Sequence, residues 1–274
     1  MYGAASTGYP MKEMTAAELF GEWAYLRREL WPGAFTLCLF AMFAPAIVAS
    51  LTIATNATAV YWLGGVGWFI LLVPALLVVS HVYHYCAGRP RLFPTIVGTV
   101  VPSLIVILIG FLALKPIAGV ASKLDSADCT SYPEKYKLDL AYRSAAQTFD
   151  TCVQRVATST STTAEATAPL LDLSDCSEYK TSPEGDDYSS QWAYLQKMEV
   201  NQVCSGWCTP GEPALWTRTH YAMDLCANAA AAELTGKVAN LGRRLMLLGI
   251  LELIASIYVV LTMQAVLKKT LTSW

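Results

Sequence analysis

Long apolar runs separated by polar segments dominate the pattern of this chain. Four runs are long enough to cross a hydrocarbon core, which takes about 20 helical residues, and they cover 34–54, 59–80, 95–114 and 245–267. Glu252 is the only formally charged residue inside any of them. A soluble protein would need four nearly uncharged buried helices of this length. The pattern therefore predicts an all-α integral membrane protein with a four-helix transmembrane bundle.

Basic residues near the ends of the runs predict the orientation, because cytosolic flanks carry an excess of Lys and Arg. Seven of them flank the termini and the 81–93 loop, against four on the opposite side. We therefore expect both termini inside, no cleaved signal peptide, and a location in the plasma membrane or an endomembrane. The expected segments are a cytosolic amphipathic N-terminal segment 1–32, spans one to three within 33–114, a large extracellular or lumenal loop 115–244, span four at 245–267 and a cytosolic tail 268–274.

The N-terminal segment carries a helix-start signal. Thr15 and Glu18 fit a capping box, after which Leu19, Trp23 and Leu26 lie on one helical face. An in-plane helix on the inner membrane surface explains this pattern, and so does a helix docked on a partner protein.

The large loop contains six of the eight cysteines. An even number on the predicted oxidising side indicates a disulfide framework, although the sequence does not choose among the connectivities. A metal site is the weaker alternative, because two of the cysteines are separated by three residues rather than the two of a zinc knuckle. The six are Cys129, Cys152, Cys176, Cys204, Cys208 and Cys226.

Helical patterning continues inside this loop. Apolar residues recur at four- and three-residue spacing over 136–156, and a shorter pattern covers 192–203. The Ser/Thr/Ala tract 157–168 is typical of a flexible connector, and the chain is expected to be helical again after Pro213. Helices that run continuously into spans three and four would form a stalk, which carries a disulfide-bonded, mainly helical head within 115–244.

The stretch from the last loop cysteine into span four has an ordered set of residues. Cys226 is followed by the spaced leucines Leu234 and Leu241, then by Gly249 and the intramembrane acid Glu252. This order is similar to that of the tetraspanin family. The family also has four spans, internal termini and a large cysteine-rich outer loop. The resemblance implies a membrane scaffold that binds partner membrane proteins laterally through its bundle and its large outer loop.

Glu252 is the first candidate site. A bare carboxylate in lipid costs at least ~2.5 kcal/mol, so we expect a protonated or hydrogen-bonded side chain that faces the bundle interior. Ser50 and Thr52 lie at a similar expected depth and could bond to it. We favour an interhelical hydrogen bond that fixes packing; the alternative, which the resemblance implies, is a cavity that holds a sterol or another lipid. Close helix approach is expected at three glycines of span two, Gly64, Gly65 and Gly67.

Other candidates lie near the expected membrane surfaces. Cys38 and Cys86 fit cytosolic palmitoylation sites, and free thiols are the equal alternative. His81 and His84 share a helical face, where interfacial histidines are favoured over a haem or metal site. The glycosylation sequence that begins at Asn56 is expected to be unused, because its turn lies against the membrane.

Large aromatic residues are the candidate partner anchors of the head, with packing inside the head as the alternative for each. We expect partners among integral membrane proteins and membrane lipids, but no nucleic acid, since the loop has more acids than bases. No motif of a nucleophile, a phosphate loop or a metal centre appears, so neither an enzyme nor a cofactor is predicted, a bound lipid aside. The other open function is an accessory subunit of a large respiratory, photosynthetic or ion-translocating complex in an organelle membrane. The anchors are Trp207, Trp216 and Tyr221.

Overall fold

A computed structural model describes residues 16–87, 91–177, 179, 183–210, 214–217 and 224–272, with side chains at 32–87, 91–177, 179, 187–210, 214–217 and 224–264. No strand occurs within these ranges, so the predicted all-α class is confirmed. The helices are α1 Ala16–Thr55, α2 Ala57–Leu63, α3 Leu72–Ala87, α4 Leu92–Asp125, α5 Pro133–Thr160, α6 Ala164–Thr167, α7 Pro183–Gln202, α8 Cys226–Glu233 and α9 Ala239–Thr272.

Within the described part of the chain, four helical stretches are long and apolar enough to cross a membrane, as predicted. Two of them extend well beyond the hydrophobic runs. Helix α4 continues to Asp125, and α8 continues through a π-helical turn, Leu234–Val238, into α9. Spans three and four therefore extend as unbroken helices, as expected for a stalk. The stretches are Pro32–Thr55, Val66–Ala87, Leu92–Asp125 and Cys226–Gln264.

The first two spans differ from the prediction. Helix α1 runs without interruption from Ala16 to Thr55, so within the described residues the helix before span one is continuous with that span. Span two is not one helix from residue 59, because α2 ends at Leu63. The next residue, Gly64, has a φ of 69°, a left-handed conformation that glycine adopts readily. A 3₁₀ segment, Val66–Leu71, then leads into α3.

Two compact units divide the chain. Unit 1 contains the described residues of Met1–Ala44, Leu72–Ser103 and Glu252–Trp274. Unit 2 contains Pro45–Leu71 and Leu104–Leu251, which include the head.

Unit 1 packs through small and hydroxyl side chains. Ser80 of α3 donates a hydrogen bond of 2.7 Å to the carbonyl oxygen of Pro94 in α4. Gly98 approaches so closely that a Cβ there would lie 2.5 Å from Ser80 Oγ. Ser103 of α4 and Ser256 of α9 share a hydrogen bond of 3.3 Å. Such contacts replace the hydrophobic driving force that helices lack within lipid.

Unit 2 has a close pair of helices below its head. A Cβ on Gly110 of α4 would lie 2.9 Å from the carbonyl oxygen of Gly242 in α9. In the head, Leu138 and Phe149 bury one face of α5. Trp192 of α7 packs on this helix and donates a hydrogen bond of 2.8 Å to the carbonyl oxygen of Ala141.

The predicted flexible connector is mostly helical. Helix α5 continues to Thr160, and Thr163 caps α6 by accepting from the backbone N–H of Ala166. Threonine hydroxyls stabilise both ends, since Thr160 and Thr167 donate to carbonyl oxygens one turn earlier. Of the helix expected after Pro213, residues 214–217 are bent rather than helical, and the part from Cys226 onward is helical as expected.

Candidate functional site

Three disulfides close the head, so the predicted framework is confirmed. Cys204–Cys226 joins the end of α7 to the start of α8, and Cys152–Cys176 joins α5 to the segment before α7. Cys129–Cys208 spans 79 residues. The sulfur atoms of Cys129 and Cys208 lie within 4.8 Å of each other and of a carboxylate oxygen of Asp139. Because these sulfurs are bonded to each other, they offer no thiolate for a metal ion.

Two of the predicted partner anchors belong to the core of the head. Trp207 is fully buried, and its indole N–H donates to the carbonyl oxygen of Lys135 at 3.0 Å. Trp216 is also buried and lies edge-on to Tyr142, with ring centroids 6.3 Å apart. Their burial fits the alternative given for each, packing inside the head, and a partner contact through these two rings stays untested. Tyr221 lies outside the described residues.

Glu199 positions the bend that contains Trp216. Its Oε1 accepts hydrogen bonds from the backbone N–H groups of Trp216 at 2.6 Å and Thr217 at 2.9 Å. Burial raises the pKa of Glu199, and these backbone hydrogen bonds act in the opposite direction. A buried acid outside the spans thus serves as a structural cap for the described bend, 214–217.

Lys135 has the corresponding role for the end of span three. Its ammonium group donates to the carbonyl oxygens of Leu124 at 2.7 Å and Ser126 at 2.6 Å. Desolvation lowers its pKa, while Asp125 and Asp128 act to raise it. The side chain ties α5 to the last turn of α4, so the head cannot pivot freely on this helix.

The short first loop is bound to the head by Glu233. Asn56 Nδ2 donates to Glu233 Oε1 at 2.8 Å, and Thr58 Oγ1 donates to Glu233 Oε2. Asn56 also caps α2, because its Oδ1 accepts from the backbone N–H of Ala59. We call Asn56, Thr58 and Glu233 the clasp. Sequence reasoning missed it; the only signal was a lone acid within an alanine-rich helix.

Aromatic rings extend this contact. Tyr61 of α2 stacks on Tyr194 of α7, with centroids 4.2 Å apart and an interplanar angle of 11°. Trp62 stacks on Trp207 and Tyr132 and donates to the hydroxyl oxygen of Tyr194 at 2.9 Å. Offset stacking contributes beyond the burial of area. The first loop and the head therefore form one packed structure.

The predicted polar group around Glu252 is not assembled as expected. Glu252 is buried, with 4% of the residue exposed, and neither carboxyl oxygen has a hydrogen-bond partner among the described residues. Ser50 donates instead to the carbonyl oxygen of Gly67 at 3.0 Å, and Thr52 donates to that of Val48. The interhelical hydrogen bond that we favoured is therefore not found among the described residues. The acid keeps its capacity to bind a group outside the chain.

The three glycines of span two have different environments. A Cβ on Gly67 would lie 2.7 Å from the backbone N of Ala54. Of the three glycines, it is therefore Gly67 that lies closely against α1. Gly64 supplies the positive φ that ends α2. A Cβ on Gly65 would make ordinary contact with Trp68 at 3.5 Å.

The histidines and the free thiols have different environments. His81 Nδ1 shares a hydrogen bond of 2.9 Å with Thr36 Oγ1, and buried His84 lies edge-on to Phe35. Both rings therefore pack between spans. Cys38 and Cys86 are free and exposed. Acylation of these two thiols stays a prediction.

Beside the clasp lies an open pocket of about 430 Å³. A second pocket, of about 380 Å³, shares part of its wall. We call them the polar pocket and the apolar pocket. The side chains that line the polar pocket include Thr52, Thr55, Lys197, Asn201, Gln202 and Lys237.

Comparison of the chain with protein-family models, with curated proteins and with solved structures gives no match.

Proposed function

We propose that this protein is a tetraspanin-like membrane scaffold, which binds partner membrane proteins laterally through its bundle and its large outer loop. The observation that carries the proposal is a braced head with apolar side chains left exposed on it. Three disulfides, the clasp and the aromatic stack fix the head without using these side chains. A rigid surface loses little conformational entropy on binding.

The exposed apolar side chains on which the proposal depends lie in the last turn of α7 and directly after it. Val200 is 52% exposed and Val203 is 59% exposed, although both are aliphatic and lie outside the spans. Val203 also has a φ of 53°, which is unusual for a β-branched residue. Residues held in strained conformations cluster at binding sites, where the surroundings determine them. We infer that Val200 and Val203 contact a partner ectodomain.

The experiment uses the full chain, purified in a mild detergent, with its mass and its co-purifying chains quantified. The test variant combines Val200→Gln with Val203→Asn, and the matched control is Leu170→Gln, at another exposed apolar position of the head. Asparagine tolerates the left-handed conformation, so the test variant should fold at least as well as the native chain. We expect it to lose its partner while the control retains it.

Detergent exchange separates this function from that of an accessory subunit. A scaffold should give a broad, lipid-rich mixture that reduces to one or two partners in a harsher detergent. One sharp assembly of fixed stoichiometry that survives the exchange would favour the accessory subunit. Equal retention of partners by both variants would exclude Val200 and Val203 as the contact.

A further inference from the structure

The polar pocket has the chemistry of an anion site. Two lysines line it, together with hydroxyl and amide side chains and, among the described residues, one carboxylate. The one acid, Glu233, already accepts from Asn56 and Thr58, and its nearest oxygen lies 4.0 Å from Lys237 Nζ. Lys197 has no ion-pair partner among the described residues. The pocket therefore keeps an excess positive charge. The lysine ammonium groups are the donors for an anion, since the hydroxyls of Thr52, Thr55 and Thr58 already donate within the chain.

The apolar pocket continues from the same wall. Thr55, Ala57 and Lys197 line both pockets. Beyond them, the apolar pocket is lined by Val60, which is partly exposed, and by Trp68, whose ring is exposed. One ligand could thus place a charged group on the lysines and an apolar group beside Val60 and Trp68.

The chain also places these pockets at the end of a span. Thr52 and Thr55 form the last turn of the stretch Pro32–Thr55, and Trp68 lies at the start of the stretch Val66–Ala87. Tryptophan is enriched at the level of the lipid headgroups. A site at this level meets the phosphate groups of lipids at high local concentration.

We propose that the two pockets form a binding site for an anionic phospholipid. Lys197 and Lys237 bind the phosphate through charge-assisted hydrogen bonds. Val60 and Trp68 contact the glycerol end of the acyl chains. The lipid thereby contacts the first loop and α7 at once, beside the clasp.

The test measures lipid binding to the full chain by native mass spectrometry. Phosphatidylglycerol is titrated into the protein in detergent, with phosphatidylcholine as the comparison lipid. The double variant Lys197→Gln with Lys237→Gln should bind phosphatidylglycerol roughly tenfold more weakly, since each exposed lysine contributes a partly screened contact. The matched control, Lys137→Gln, removes an exposed lysine of α5 and should change nothing. Unchanged elution and disulfide content verify the fold of each variant.

Two further arms distinguish a lipid from a free anion. Val60→Thr keeps the shape of the side chain but makes it polar, and it should weaken the binding of phosphatidylglycerol about threefold. Inorganic phosphate should not displace the lipid at equal concentration. Displacement of phosphatidylglycerol by inorganic phosphate would mean that the site binds a free anion rather than a lipid. Equal binding of phosphatidylglycerol by the native chain and the double lysine variant would overturn the proposed site.

Discussion

Two buried glutamates, one in the head and one in span four, show how differently the two regions treat a carboxyl group. Glu199 accepts two backbone N–H groups and thereby holds a loop in place. Glu252 is buried to a similar degree, but its carboxyl oxygens accept nothing from the described chain. Glu199 thus contributes hydrogen bonds that stabilise the fold, whereas Glu252 makes none through its carboxyl group with the described residues.

The difference follows from the donors that each region can supply. The head contains irregular backbone, whose N–H groups are not used by helices and must be satisfied. A helical span uses its own N–H groups internally, so only side chains remain to bond an acid. Burying a polar group without a partner costs free energy, and the neutral acid costs less than the carboxylate.

The largest expected effect is at Glu199. Replacement by leucine leaves the N–H groups of Trp216 and Thr217 without an acceptor, which should cost about 3 kcal/mol of unfolding free energy. Replacement by glutamine keeps one acceptor oxygen and should cost about 1 kcal/mol. Thermal unfolding of the full chain in detergent measures both. Equal losses would mean that the acceptor contributes nothing.

The same residue gives a test by pH. Because burial raises the pKa of Glu199, the folded chain binds this proton more tightly than the unfolded chain. Its contribution to stability is complete below the usual value of 4.5 and declines as the pH rises through the raised pKa. The difference in Tm between the native chain and Glu199→Gln should therefore move in favour of glutamine above this pH. A difference in Tm that does not change with pH would refute the inference that burial raises the pKa of Glu199.

The clasp should give an intermediate effect. Thr58→Val removes the donor of the hydrogen bond to Glu233, and Glu233→Gln removes the charge of its acceptor. Their coupling in a double-mutant cycle should be about 1–2 kcal/mol. Thr235→Val is the control, because Thr235 donates only to its own helix. Additive losses at Thr58 and Glu233 would show that the two side chains do not interact.

The smallest effect is expected at Glu252. Because no hydrogen bond is lost, Glu252→Gln should change stability in lipid-free detergent by no more than about 0.6 kcal/mol. Glu252→Leu should be neutral or stabilising, as apolar replacement of an unpaired buried polar group relieves its desolvation. A loss above ~1 kcal/mol for leucine would reveal a partner and erase the contrast with Glu199.

The fold class was predictable because lipid imposes a simple rule on sequence. Only helices or closed barrels satisfy their backbone in a bilayer, so four long apolar runs were sufficient evidence for four spans. The helix over 136–156 followed from its periodicity. The break at Gly64 was not foreseen, because apolar residues continue on both sides and hydrophobicity alone does not distinguish one helix from two.

The contacts between distant segments could not be predicted. The disulfide pairing, the clasp and the burial of Trp207 all join residues far apart in the chain, and no local pattern encodes such partners. Large aromatic residues are common both in cores and at interfaces, so their identity alone favoured neither. Glu233 was overlooked because an acid on a helix outside the membrane is ordinarily solvated.

On the expected lumenal side of the membrane, the clasp would also limit when a sugar could be added to this protein. Asn56-Ala57-Thr58 has the acceptor sequence for N-glycosylation, yet Asn56 Nδ2, the atom that would carry the glycan, is bound to Glu233 in the folded chain. Thr58, which completes the acceptor sequence, is bound there too. Glycan transfer and docking of the loop therefore compete in time. A glycosylated molecule would be one in which the transferase acted on Asn56 before the clasp formed. The glycosylated fraction would therefore report the rate of glycan transfer relative to the rate of loop docking.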